Sequence, residues 1–77
     1  MTVSTSHHYR SSGIKSPVDD QLYDLLQALT SKCEAIEAYA KYEEDADGEV
    51  KQLFQDLARE DAKQAERLLS TLRTKLS

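Results

Sequence analysis

The chain has no tryptophan, one phenylalanine, one proline, one cysteine and two glycines. Each scarcity excludes something. A single cysteine, Cys33, forbids an intrachain disulfide and fits a reducing compartment. So little glycine, proline and aromatic material leaves few turns and few strand formers, and an all-α chain is the natural expectation. No long apolar run is present, so neither a membrane span nor a secretory leader is expected, and the cytoplasm is the default location. Seventy-seven residues make at most one small domain. A chain this short buries little and commonly needs a partner chain or a metal for stability.

What is present is charge, unevenly spread. Residues 1–16 carry Arg10 and Lys15 and no acid. Residues 17–77 carry eight Lys/Arg against fourteen Asp/Glu, a balance of −6. A body this acidic argues against binding to a phosphate backbone, including the RNA binding of a Rop-like hairpin dimer. Residues 1–16 are rich in Ser and Thr with aperiodic apolar positions, and read as a flexible N-terminal tail. Within it His7, His8, Tyr9 and Arg10 are the candidates for docking on a protein partner. The histidine pair is a weak metal signal, because neighbours on an extended chain point to opposite sides.

The rest reads as one helical hairpin domain, residues 17–77, with helices over about 17–45 and 49–76. Ser16-Pro17-Val18-Asp19 opens the first, with Ser16 as N-cap, Pro17 at the first helical position and Asp19 at the positive dipole end. Its apolar face runs Leu22, Leu25, Leu26, Leu29, Cys33, Ile36, Tyr39 and Ala40. Asp45-Ala46-Asp47-Gly48-Glu49 is the only turn signal after Pro17. It lacks the ligand number and the distal bidentate acid of a calcium loop and reads as a short helix connection, with Gly48 absorbing the turn. The second helix places Val50, Phe54, Leu57, Asp61, Gln64, Leu68, Leu72 and Leu76 on one face at spacings of three and four. Cys33 is expected as a small buried apolar residue, since no histidine lies in either helix to activate it.

Two helices cannot bury two broad apolar faces alone. A homodimer forming a four-helix bundle is the expected solution. Asp61 and Gln64 interrupt the second stripe, and a carboxylate inside a core is costly unless paired. A turn centred near Ala46 and Asp47 sets the register. Asp61 then faces Lys32, Gln64 faces Leu29, Leu57 faces Ile36 and Phe54 faces Tyr39. Lys32 and Asp61 are thus expected as a polar pair within the seam, with Gln64 completing its hydrogen bonds.

Two segments carry a family resemblance. Lys32-Cys33-Glu34-Ala35-Ile36-Glu37-Ala38-Tyr39 resembles the first-helix motif E-x-x-A-I-x-x-Y of the ferritin-like and rubrerythrin-like superfamily. The stretch Leu53-Phe54 through Leu57-Ala58-Arg59-Glu60-Asp61-Ala62-Lys63-Gln64-Ala65-Glu66 resembles its second-helix motif, L-F-x-x-L-A-x-x-E-x-x-H-A-E. The likeness spans about residues 20–70. It implies half of a ferritin-like four-helix bundle, in which such motifs hold a di-iron site. The ligand positions here are Lys32, Asp61 and Gln64. A protonated lysine cannot ligate iron, and an amide is a poor substitute for imidazole. The resemblance therefore implies a scaffold with a degenerate metal site, no cofactor and no catalytic residue. The expected function is a non-enzymatic interaction protein that dimerises and binds a partner through its tail or an exposed helix face. The alternative is an iron-binding protein using Glu34, Glu37, Glu60 and Asp61.

Overall fold

In a computed structural model the described residues are 17–77, and they form two helices with no strand among them. The tail residues 1–16, with His7, His8, Tyr9, Arg10 and Ser16, lie outside the described residues. Helix α1 runs Asp20–Glu44 and helix α2 runs Gly48–Leu76. They pack as an antiparallel hairpin.

The first helix begins later than Pro17. Asp19, not Ser16, is its N-cap, with an extended backbone and a carboxylate that accepts the Leu22 N–H at 2.8 Å. Pro17 and Val18 lie outside the helix. An aspartate that can bond a free N–H of the first turn outcompetes a proline two residues earlier, which offers only a fixed φ. Consequently α1 has 25 residues and α2 has 29, and the matched lengths expected from the sequence do not occur. The overhang is about one turn at 3.6 residues per turn. It leaves Leu76, expected in the seam, exposed beyond the start of α1.

At the other end the chain reverses over Asp45–Asp47. The Asp45 N–H donates to Tyr42 O at 3.1 Å and the Ala46 N–H to Glu43 O at 3.2 Å, closing the last turn of α1. Gly48 then takes φ +56°, the one left-handed position among the described residues. A side chain there would be strained, which is why glycine stands at this point. Val50, in the first turn of α2 where α1 has already ended, is exposed rather than in the seam.

The seam is a heptad-like pattern of alanines and large apolar residues around one ion pair. On α2 the half-buried or buried line is Phe54, Ala58, Asp61, Ala65, Leu68 and Leu72, at alternating spacings of four and three. On α1 a matching line is Leu25, Ala28, Lys32, Ala35 and Tyr39. That alternation is the geometry of a left-handed two-helix seam. Four of these eleven positions are alanine, while Leu25, Tyr39, Phe54, Leu68 and Leu72 supply the large apolar side chains. A parallel line on α1, Leu22, Leu26, Leu29, Cys33, Ile36 and Ala40, has the same spacing. Three of its members, Leu26, Cys33 and Ala40, are exposed. Only Leu72, 3% exposed, is buried in the whole hairpin.

Candidate functional site

The polar interruption of the seam lies midway along both helices. Lys32 extends from α1 and donates from Nζ to Oδ1 of Asp61 on α2 at 3.3 Å. The Lys32 side chain is 35% exposed and the Asp61 side chain 17%. The lysine thus keeps contact with water while its stem lies along the seam. The carboxylate is the more deeply held partner. Their spacing from the turn fixes the contact: each sits 15 or so residues from the connection on its own helix, and antiparallel helices of equal rise bring such residues level.

Gln64 does not join them. It is exposed and lines a shallow surface depression of about 260 Å³ on α2 with Arg67, Leu68 and Thr71. The physical reason is angular. From Asp61 a step of four residues returns to the seam line, and Ala65 occupies it. A step of three lands about 60° away on the helix surface. Cys33 is likewise exposed, on the outer line of α1, so its expected burial is corrected by the same geometry.

The four carboxylates of the iron-binding alternative are not assembled. Glu34, Glu37 and Glu60 are exposed, and Asp61 is turned to Lys32. Among the described residues no three His, Cys, Asp or Glu side chains are close enough to share a metal ion. A protonated ammonium beside Asp61 would also repel a cation at that place.

Two further groupings hold the hairpin. Tyr39, Tyr42 and Phe54 form an aromatic cluster near the turn. Phe54 stacks on Tyr39 with centroids 6.1 Å apart and meets Tyr42 at 5.4 Å in a tilted arrangement, while the two tyrosines meet edge to face at 6.1 Å. Such pairs contribute about 0.5–1.5 kcal/mol each beyond their burial. At the opposite end Asp19 serves twice: Oδ1 caps α1, and Oδ2 lies 3.8 Å from Lys75 Nζ in the last turn of α2. On the outer face of α2, Asp56 accepts from Gln52 at 2.9 Å and from Arg59 at 2.6 Å. The Gln52 bond first, and the Arg59 bond and charge after it, hold its carboxyl below the usual aspartate range.

The sequence reading missed the alanines. Ala28, Ala35, Ala58 and Ala65 look like neutral helix formers when taken singly. Each helix carries its two alanines one heptad apart, and that repeat was the available signal for a helix–helix seam. No helix of the described residues is long and apolar enough to cross a membrane. Comparison of the chain with protein-family models, with curated proteins and with solved structures finds no match.

Proposed function

We propose that the protein is a non-enzymatic helical interaction module whose hairpin pairs with a second copy to make a four-helix bundle. The observation that carries this reading is the near absence of a core. One side chain, Leu72, is buried, while Leu26, Tyr42, Val50, Leu53, Leu69 and Leu76 are exposed. Four alanines narrow the seam between α1 and α2, and six large apolar side chains are left outside it. A two-helix unit in water with so little burial is marginal. Covering the leucines of the hairpin's flanks with the same leucines of a copy removes them from water at no further cost in sequence, while Tyr42 and Val50 stay open at the turn end.

Within this reading Lys32 and Asp61 occupy the positions at which the resembling ferritin-like chains carry metal ligands. The pair then neutralises a carboxylate and fixes the register of the two helices instead of holding an ion. Support comes from the 3.3 Å contact and from the exposure of the third position, Gln64. The exposed flanks, together with the basic segment before residue 17, are the surfaces offered to a protein partner.

Sedimentation of the full chain at micromolar concentration tests the assembly. The expected result is a dimer whose helical signal falls as dissociation begins on dilution, because folding and pairing are coupled. A folded, helical monomer at all concentrations would overturn the reading.

A further inference from the structure

The turn end of the hairpin holds an open depression of about 400 Å³ lined by Tyr42, Asp45, Ala46, Asp47, Val50 and Phe54. We propose that it is a docking site for a protein segment presenting a lysine or arginine beside an apolar side chain. This deepens the interaction reading above by naming a surface and a partner chemistry, and it does not depend on the dimer.

The floor of the depression is apolar and already half open. Tyr42 is 48% exposed and Val50 53%, and the Tyr42 and Phe54 rings stand 5.4 Å apart. The rim is acidic. Glu43, Glu44, Asp45, Asp47 and Glu49 fall within seven residues that contain no base. Glu43 accepts from Gln55 at 3.3 Å. Among the described residues, Glu44, Asp45, Asp47 and Glu49 have no ion pair or side-chain hydrogen bond. Asp47 is the N-cap of α2, yet its side chain makes no capping bond. A cap aspartate ordinarily satisfies a free N–H of the first turn, so its acceptors here remain available.

Aromatic faces and unpaired carboxylates together favour a cation carried on an apolar stem. The ring faces attract the charge, the carboxylates pair with it, and Val50 and Ala46 take the aliphatic part. The volume falls in the range of about 300–1,000 Å³ typical of binding clefts. The depression is wide open, however, and cannot enclose a small free cation. A chain segment supplies charge and apolar contact at once. The local charge repels nucleic acid and anionic lipid surfaces alike.

The test uses the ¹⁵N-labelled full chain and a short blocked peptide alternating leucine and arginine. Amide shifts are expected at Asp45, Ala46, Asp47, Val50 and Phe54. Replacing the arginines by glutamine should weaken binding by roughly three- to tenfold, the range of exposed ion pairs and cation–π contacts. The double variant Asp45→Asn with Asp47→Asn should weaken it as much while leaving helix content unchanged, because asparagine is also a good N-cap. Equal binding of the glutamine peptide, undiminished binding by the double variant, or shifts confined to other residues would overturn the proposal. So would shifts at these amides on self-dilution without peptide, which would make the depression an interface between copies. Sedimentation of the same samples reads the dimer separately, so a monomer that binds the peptide refutes only the assembly.

Discussion

At the turn end of the hairpin, three aromatic rings meet around Tyr39, Tyr42 and Phe54, and Tyr42 stays half exposed. At the free end, leucines do the packing, Leu72 is buried, and an ion pair joins Asp19 to Lys75. Lys32 and Asp61 lie between the two. The difference follows from covalent connection. Near the turn, the chain itself keeps the helices adjacent, and little entropy is lost in bringing facing residues together. At the free end nothing covalent holds the helices, so burial and charge pairing must do so. The turn end can therefore leave its aromatic and acidic surface open. The free end cannot afford the same looseness.

The comparison breaks most easily at its most buried point. Leu72→Ala should destabilise by about 2–4 kcal/mol, within the range of large-to-small core changes. Phe54→Ala, at a half-buried position beside the turn, should cost less, about 1–2 kcal/mol, because water already reaches its neighbours and the site can collapse. Chemical denaturation of the two variants at one protein concentration checks the order. If Phe54→Ala proves the more damaging, the turn end is the true anchor.

The middle of the hairpin gives the next effect. Lys32→Ala or Asp61→Ala should cost about 1–3 kcal/mol, between the values for exposed and buried pairs. Replacing both by leucine should cost clearly less than either single change, and can stabilise, since the stripe becomes apolar throughout. A double-mutant cycle by thermal melting measures this. Additive single effects would mean that the 3.3 Å contact contributes no coupling.

A smaller change sharpens the role of the turn. Gly48→Ala meets no neighbouring atom within 4 Å, so its whole cost is backbone strain at φ +56°. That strain is about 1–2 kcal/mol for a residue with a Cβ in the left-handed region. Gly48→Asn should cost less, and helix content should be kept in both. A neutral Gly48→Ala would show that the turn relaxes to another conformation.

The smallest effect lies away from both ends. In a carboxyl-resolved NMR titration Asp56 should titrate below the ordinary aspartate value, and Gln52→Ala should raise it. A carboxyl depressed in the folded state adds stability above its unfolded pKa and loses it as pH falls through the folded value. Acid should therefore weaken the first turns of α2 without changing the order of the two ends. An unshifted Asp56 would mean that Gln52 and Arg59 do not hold it in solution.

Much of this was legible in advance, for local reasons. A single turn signal between two periodic stretches gives two helices, and a turn position gives a register. The register in turn sets Lys32 against Asp61 and Phe54 against Tyr39. The N-cap was misplaced because Ser16-Pro17 and Asp19 are both good start signals. Choosing between them depends on which side chain reaches a free N–H, and here Asp19 also gains Lys75 from the other helix. Gln64 and Cys33 were misplaced for a different reason: each lies one step from a seam position, on a face that is apolar over more than one line.

The sequence by itself determined the helices, the reversal at Asp45–Asp47 and the pairing of residues equidistant from it, because helical period, glycine conformation and chain connectivity are local properties. Only the tertiary structure decided which of two adjacent stripes became the seam. On α1 the lines through Leu25, Lys32 and Tyr39 and through Leu26, Cys33 and Ala40 are both spaced for packing. The first is used, with Ala28 and Ala35 set against Ala58 and Ala65 in the facing line. Small side chains let two helix backbones approach closely, and the gain from that approach exists only when both helices are present. The same choice left Leu26, Cys33 and Ala40 of the second line on the surface.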